Sequence, residues 1–167
     1  MTILLGSDDD SSALACQLLQ QQLEQRGQAC LTIGPALSSR RDSPLPSVPP
    51  QIPLTLMDLL GHELLESASA VGVFIRRSDQ LERFTNAHRE LARQRGGPAA
   101  TVFSGPLEAS LGDSLLRQRS DRLCCDLLVV PGDRQRRELE AITQFWPETL
   151  EIPRIEAIGQ WLSLIHI

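Results

Sequence analysis

The sequence predicts an α/β fold built on an open, doubly wound and mostly parallel sheet. Apolar runs of strand length alternate along the chain with stretches of helical period, which is the pattern of successive βα units. Five or six such runs are present, enough for an open sheet with helices on both faces. The chain has 167 residues, 41% of them hydrophobic and 22% charged, as expected for one globular domain with a sizeable core.

The first two predicted strands enclose a helix and precede a long loop. Residues 2–6 form the first strand, and residues 12–26 have the apolar spacing of a helix that Gly27 ends. Residues 29–33 form the second strand. The segment 34–53 is rich in Pro, Ser and Gly, and it therefore predicts a long surface loop.

The rest of the chain repeats the same alternation. The predicted elements are a helix over 55–66, a strand over 70–75, a helix over 79–95, a strand over 99–104, a helix over 113–124, a strand over 127–130, a helix over 133–146 and a strand over 152–158.

Composition and charge exclude several classes of protein. The net charge of -5 argues against nucleic-acid binding, which depends on a field of basic residues. No apolar run approaches the roughly 20 residues that span a bilayer, and the N-terminus lacks the features of a signal peptide, so a cytoplasmic location is expected. The four cysteines have no CxxC spacing and no His partner, which favours buried, reduced thiols over a metal site.

An acidic turn follows the first predicted strand. In open α/β sheets, ligands bind beyond the carboxyl ends of the strands, so Ser7, Asp8 and Asp9 are candidate site residues. Asp10 or Ser11 is expected to cap the following helix, and Asp8 or Asp9 to accept hydrogen bonds from substrate hydroxyls. Three carboxylates and the absence of a Gly-x-Gly-x-x-Gly fingerprint disfavour a dinucleotide site. A metal held by Asp8 and Asp10 is a weaker alternative.

Two further turns follow predicted strands. Gly105 and Pro106 come after the strand at 99–104, where they allow close approach of a ligand to the backbone or form a simple turn. Gly132 and Asp133 follow the strand at 127–130, and Asp133 is expected to cap the next helix.

A basic neighbourhood accompanies these turns. It contains Arg117, Arg119, Arg122, Arg134, Arg136 and Arg137. The ordinary interpretation is solvated helix faces paired with Glu138 and Glu140. An anion site or a surface that docks a second domain is the alternative.

Histidines and missing residue types limit the possible chemistry. His62 follows Gly61 after the Pro-rich loop and is a candidate general base, whereas His88 lies near a buried helix stripe and is expected to be structural. The chain has no Lys and no Tyr, which excludes a Walker-type phosphate loop, a Schiff-base lysine and a Tyr-Lys dehydrogenase pair within it.

Two stretches carry a resemblance to a known family. The opening ILLGSDDDSSALACQLLQQQLEQRGQACLTI and the later LLRQRSDRLCCDLLVVPGDRQRREL with IPRIEAIGQ resemble the N-terminal half of bacterial GT-B glycosyltransferases, specifically poorly characterised ones associated with surface-polysaccharide or lipopolysaccharide assembly. In that family an Asp/Ser-rich turn follows the first strand. Later an Arg, here Arg119 or Arg122, precedes a Cys-Asp step, here Cys125 and Asp126, then a strand and an acidic helix start at Asp133.

The resemblance implies two Rossmann-like domains that face each other across a cleft. The first domain, present here, would hold a glycan or lipid-linked acceptor, and the second, missing domain would bind the nucleotide-sugar donor. The first domain would hold no cofactor and no metal. Peripheral contact with a membrane is an option. The catalytic base would come from Asp8, Asp9 or His62. The implied substrate-binding residues are Ser7, Gly105, Pro106, Arg119, Gly132 and Asp133. The family often has a basic or aromatic residue in the first helix turn, where this chain has SSALAC.

The end of the sequence bears on its completeness. Residues 162–167, LSLIHI, resemble the translation of a transposon end used in making sequencing libraries, so they are expected to be a non-native tail. Residues 1–161 would then be an acceptor-side domain cut short, and inactive by itself as a glycosyltransferase of class EC 2.4.

Other functions remain open at the level of sequence. One alternative keeps the two-domain fold but makes the enzyme a nucleotide-sugar epimerase or a polyol-phosphate transferase. Another is a stand-alone flavodoxin-like binding or regulatory domain with the acidic turn as its pocket. A receiver domain of that kind would need a Lys after its fifth strand, and the chain has none.

Overall fold

The fold class predicted from the sequence is confirmed. The structure is a computed structural model that describes residues 1–35, 49–75, 78–105, 124–130, 132–145, 148 and 151–157. Within these ranges the chain forms an α/β fold with a six-stranded, all-parallel open sheet flanked by helices. The predicted helix over 113–124 falls almost wholly outside the described residues, as do most of the Pro-rich loop, Pro106, Arg119 and the tail 162–167.

The described helices and strands follow the predicted alternation closely. The strands are β1 Thr2–Ser7, β2 Ala29–Ile33, β3 Ala68–Phe74, β4 Thr101–Ser104, β5 Leu127–Val130 and β6 Arg154–Ala157. The helices are α1 Asp10–Gln25, α2 Glu63–Ser67, α3 Ser78–Arg95 and α4 Asp133–Thr143.

The strand order makes the sheet doubly wound. The order is β2-β1-β3-β4-β5-β6, so the chain leaves β1 toward one edge and returns from β2 to the other side of β1. Ile52 adds an isolated parallel bridge to Ile33 beyond β2. When that bridge is counted as a rudimentary strand, the order matches the 3-2-1-4-5-6 order of Rossmann-like sheets, with one further strand at the far edge.

The end of the Pro-rich segment returns to the sheet, so the prediction of one surface loop over 34–53 is wrong for its last residues. The Ile52 amide donates to the Thr32 carbonyl at 3.1 Å, and the Gly34 amide donates to the Ile52 carbonyl at 3.3 Å. Gln51 adds side-chain contacts, because its Oε1 accepts from the Thr32 amide at 3.1 Å. These backbone groups therefore form hydrogen bonds at the edge of β2. In a surface loop they would form hydrogen bonds with water instead.

Helix α1 ends as predicted at Gly27. Gly27 adopts a φ of 76°, in the left-handed region that glycine enters without steric cost. The Gly27 amide donates to the Glu24 carbonyl, and the Gln28 amide donates to the Leu23 carbonyl. This pair of bonds satisfies carbonyls at the helix end, in the arrangement of a Schellman motif.

The predicted helix over 55–66 is wrong in extent. Residues 56–61 form turns, and only the five residues of α2 are helical. Gly61 has a φ of 83°, which no helix accommodates, and it separates the turns from α2. The leucines that produced the helical spacing are core residues packed from turns, since Leu56 and Leu59 are buried.

The core lies on both faces of the sheet, as alternation along β1 requires. Leu4 belongs to the larger cluster, on the face where Leu59 and Phe84 pack. Leu5 belongs to the smaller cluster with Cys16 and Phe74. Both leucines are fully buried, so β1 is a central strand whose carboxyl end is held firmly at the middle of the sheet.

Candidate functional site

The candidate site lies where the strand order reverses, between the carboxyl ends of β1 and β3. In doubly wound sheets the chain leaves these two strands in opposite directions, which opens a crevice between them. Ser7 ends β1 and pairs with Phe74 at the end of β3. Asp8 and Asp9 follow directly, so the acidic turn predicted as a site is at the reversal point.

The turn is closed by a reciprocal capping box around Ser12. Asp9 has extended backbone (φ -147°, ψ 174°) and is the N-cap of α1. Its Oδ1 accepts from the Ser12 amide at 2.7 Å, while Ser12 Oγ accepts from the Asp9 amide at 3.0 Å and from the Asp8 amide at 3.1 Å. The expectation that Asp10 or Ser11 caps the helix is wrong, because the box requires an acceptor three residues before Ser12.

Asp8 and Asp9, both candidate bases, therefore have different structural roles. Asp9 uses its carboxylate to cap α1. Asp8 is half-buried, and its Oδ1 lies 3.3 Å from Ser12 Oγ. Because Asp9 serves the helix, Asp8 is the carboxylate of this turn that is better suited to chemistry.

Ser7 faces β2 at the end of β1. Its side chain is buried, and its Oγ donates to the Ile33 carbonyl at 3.3 Å. Gly34 lies against it so closely that a Cβ there would come within 2.9 Å of Ser7 Oγ. The Ser7 hydroxyl thus joins the ends of β1 and β2. A substrate contact of Ser7, as predicted, would be made in addition to this structural hydrogen bond.

A small polar cavity adjoins the turn between α1 and β2. Its volume is about 150 Å³, and its wall contains Ser7, Ala13, Gln17, Gln20, Thr32, Pro49, Pro50 and Gln51. Gln20 is buried, and its Nε2 donates to the Cys30 carbonyl at 3.2 Å and to Gln51 Oε1 at 3.1 Å. The polar side chains of this wall are neutral amides and hydroxyls.

Sequence reasoning missed these amides. Gln17 and Gln20 follow Ala13 at the spacing that places residues on one face of a helix, and that pattern was readable. It did not indicate a cavity, because the partner that closes the cavity, Gln51, comes 31 residues after Gln20.

Gly105 is buried among neighbouring strands. A Cβ at Gly105 would lie 3.2 Å from the Val129 carbonyl and 3.4 Å from the Phe74 ring. Glycine at this position is therefore explained by packing. Gly105 still follows the carboxyl end of β4, so the predicted ligand contact is at the correct edge of the sheet.

The residue that caps α4 differs from the predicted one. Asp133 is the first residue of α4, and the Gly132 carbonyl accepts from the Arg136 amide at 3.1 Å. That bond gives Gly132 the N-cap position, so the expectation that Asp133 caps the helix is wrong. Asp133 is exposed in the first turn, where its carboxylate complements the helix dipole.

The arginines of α4 that form ion pairs do so along their own helix. Arg134 pairs with Glu138 at 2.9 Å. Arg136 pairs with Asp133 at 3.1 Å and approaches Glu140 at 3.8 Å. The interpretation as a solvated helix face is confirmed for Arg134, which is exposed. Arg136 has the predicted kind of pairing with acidic residues but is half-buried, and its Nε has no hydrogen-bond partner among the described residues. Arg117, Arg119 and Arg122 lie outside the described residues.

His62 caps α2 and lies at the other end of the strands from the acidic turn. Its Nδ1 accepts from the Leu64 amide at 3.2 Å. Helix α2 leads into Ala68, which pairs with Thr2 at the amino end of β1, whereas Asp8 follows the carboxyl end of that strand. His62 and Asp8, both proposed as a base, therefore belong to different elements and different contacts.

The Cys-Asp step that contributed to the family resemblance lies at the amino end of β5. Asp126 Oδ2 accepts from the Val102 amide at 2.7 Å, and Oδ1 accepts from Arg89 at 2.5 Å. The Asp126 carbonyl also accepts from the Arg154 amide at 3.0 Å. The Asp126 carboxylate thus joins β4 to α3, and the Asp126 carbonyl joins the start of β5 to β6. These contacts lie at the amino ends of the strands, whereas the acidic turn lies at the carboxyl ends.

Two other kinds of site are not found in the described part of the chain. Its His, Cys, Asp and Glu side chains form no group of three that could hold a metal ion. None of its helices combines the length and the apolar character needed to cross a bilayer.

Comparison with known proteins assigns no family. No family model matches the chain, and a search of curated proteins found no match. The candidate site is therefore defined by topology, hydrogen bonds and charge.

Proposed function

We propose that this chain is the acceptor-binding, Rossmann-like domain of a two-domain glycosyltransferase, which moves a sugar from a nucleotide-sugar to a glycan or lipid-linked acceptor. The observation that carries the proposal is the acidic, internally capped turn at the reversal point of the sheet. It disfavours phosphate and favours hydroxyl groups at the position where such folds bind ligands.

The hydrogen bonds of the turn oppose a phosphate. A helix N-terminus binds phosphate through free backbone amides. Here the Ser12 amide donates to the Asp9 carboxylate, and the amides of Asp8 and Asp9 donate to Ser12 Oγ. Carboxylates in the same turn repel an anion as well. A nucleotide-sugar diphosphate would therefore bind elsewhere, which agrees with a donor held by a second domain.

The same turn suits an acceptor hydroxyl. Asp8 is half-buried beside the crevice and does not cap the helix. As general base it would take the proton of the acceptor hydroxyl, whose oxygen attacks the anomeric carbon while the nucleoside diphosphate leaves with the bonding electron pair. Asp9 would hold the turn in place through the cap, and His62 would have no part in this step.

Binding measurements on the 167-residue chain test the first half of the proposal. Titration with UDP-glucose and with GDP-mannose, followed by NMR, is expected to leave the amide signals of residues 7–12 unchanged, because no phosphate site is available there. Saturable binding of either nucleotide-sugar at these residues would overturn the assignment of this domain to the acceptor.

Transfer assays on the longer gene product that the proposal requires test the second half. Asp8→Asn is expected to lower kcat by about 100-fold or more, the usual contribution of a general base, with the Kd of the donor unchanged. Asp58→Asn is the matched control, since Asp58 is exposed and bonds only Thr55 in the described structure. Full transfer activity in Asp8→Asn would exclude Asp8 as the base. A gene that stops at codon 161 would favour a stand-alone binding domain instead.

A further inference from the structure

Strand β6 is one edge of the sheet, and no described strand lies beyond it. The Arg154 amide donates to the Asp126 carbonyl at 3.0 Å, so the backbone N–H and C=O of Arg154 face β5. Because backbone groups alternate in direction along a strand, those of Glu156 also face β5, while those of Ile155 and Ala157 point away from the sheet. The outer edge of β6 is therefore able to form hydrogen bonds with a further strand.

The side chains of β6 place two opposite charges on one face of this edge. Arg154 and Glu156 are two residues apart, so they lie on the same face, and Arg154 Nη2 is 2.5 Å from Glu156 Oε1. The two side chains are 77% and 43% exposed. Ile155 lies on the other face, where it packs against the larger core cluster. An exposed ion pair of this kind contributes little to the stability of one chain, so either charge is available to a partner.

The order of these charges is complementary to itself. When two β6 strands run antiparallel about a two-fold axis at Ile155, each Ile155 faces the Ile155 of the other copy. Their outward N–H and C=O groups then exchange both hydrogen bonds. Arg154 faces Glu156 of the second copy, and Glu156 faces its Arg154, with Cβ atoms about 4.5–5.5 Å apart. Two ion pairs thus form between the copies.

The charges also select this register over its neighbours. A two-fold axis moved by one residue would pass through Arg154 or through Glu156. Each of these residues would then face its own copy in the second chain, and like charges directly opposite each other are destabilising. The axis at Ile155 is the arrangement in which both charged residues meet their opposites.

Exposed apolar side chains lie in the segment that leads into β6. Among the described residues, four large apolar side chains are exposed. Two of the four, Phe145 and Ile152, belong to the connection between α4 and β6. Burial of such side chains against a second copy would add apolar area to the contact between the strands.

We propose that β6 is the contact surface for a second copy of this chain, which adds its own β6 antiparallel and joins the two six-stranded sheets into one continuous sheet. Both copies use the same surface, so the contact closes at the dimer. Four paired residues make a small interface, and we expect a weak dimer that depends on concentration. The proposal is independent of the acceptor function, because β4 and β5 separate β6 from the crevice beside β3.

Analytical ultracentrifugation of the 167-residue chain tests the association. Measured from micromolar to millimolar concentration at low ionic strength, where exposed charges are screened least, the chain is expected to pass from monomer to dimer. The Ile155 amide is expected to exchange its hydrogen slowly in the dimer and rapidly on dilution. A chain that stays monomeric overturns the proposal. Protection of the Ile155 amide in the dilute monomer also overturns it, because another segment of the chain would then cover the edge.

Charge reversal tests the register. Arg154→Glu and Glu156→Arg each place like charges opposite each other twice, and each is expected to weaken the dimer roughly tenfold or more. An equimolar mixture of the two variants is expected to form a heterodimer, since opposite charges then face each other again. Arg93→Glu is the matched control, because Arg93 is an arginine of α3 that is 73% exposed and pairs with Glu90. This variant should associate like the unmodified chain.

Two results with these variants contradict the proposal. One is self-association of Arg154→Glu and Glu156→Arg at the strength of the unmodified chain, which would place the interface elsewhere. The other is a mixture that fails to associate although both variants are folded by far-UV circular dichroism. Should either variant fail to fold, the concentration dependence of hydrogen exchange at Ile155 in the unmodified chain decides.

Discussion

Removing the carboxylate of Asp9 separates its structural role from any chemical role. In Asp9→Ala, the Ser12 amide loses the acceptor that lies 2.7 Å away, and the negative charge at the start of α1 disappears. Loss of an N-cap costs about 0.5–2 kcal/mol, and loss of a charge favourable to the helix dipole about 0.3–1 kcal/mol. We expect the free energy of unfolding to fall by about 1–3 kcal/mol, the sum of the two contributions.

Urea denaturation followed by far-UV circular dichroism measures this loss. A domain of this size should lose about 2–4 °C in Tm for each kcal/mol. Asp9→Ser is the matched control, because serine also caps helices well and should recover most of the stability. Asp8→Ala should cost less than Asp9→Ala, since Asp8 does not cap α1. Equal stability of Asp9→Ala and the unmodified chain would refute the capping-box argument.

Two further predictions concern the core. Gly72→Ala should destabilise the protein by about 1–3 kcal/mol, because a Cβ there would lie 2.5 Å from the Phe103 ring and 2.8 Å from Leu5. Chemical denaturation should find that adding Phe103→Leu recovers part of this loss, and a purely additive double mutant would contradict the packing argument. Burial raises the pKa of Cys30 to about 11 and that of Cys125 to about 12, from 9.0. The folded state thus holds these thiol protons more tightly than the unfolded chain, so urea midpoints should be level below pH 9 and fall as the pH rises toward 11; a flat profile to pH 11 would contradict it.

The repeating α/β pattern was readable from local sequence because strands and helices differ in length and apolar period. Strand β2 has the predicted bounds of residues 29–33. The end of α1 was equally clear, because Gly27 acts within its own helix turn. The order of the strands in the sheet could not be predicted from local sequence, since it depends on which strands, distant in sequence, pair with each other.

The errors arose where one pattern permits two structures. The leucines of 55–66 fit a helix, but Gly61 allows turns that bury Leu56 and Leu59 equally well. In the acidic turn, several adjacent residues are good N-caps by composition. Only the reciprocal hydrogen bonds with Ser12, which the structure shows, select Asp9.

The bridge between Ile33 and Ile52 also affects how this protein meets other copies of itself. An unprotected outer strand offers free amides and carbonyls on which a neighbouring chain can add a strand, and this is a common route to aggregation. Beside β2 that position is taken by Ile52, with Pro50 and Pro53 close to it in sequence. Proline has no amide hydrogen to extend a ladder, so the segment shields the edge of β2 without becoming a new template itself.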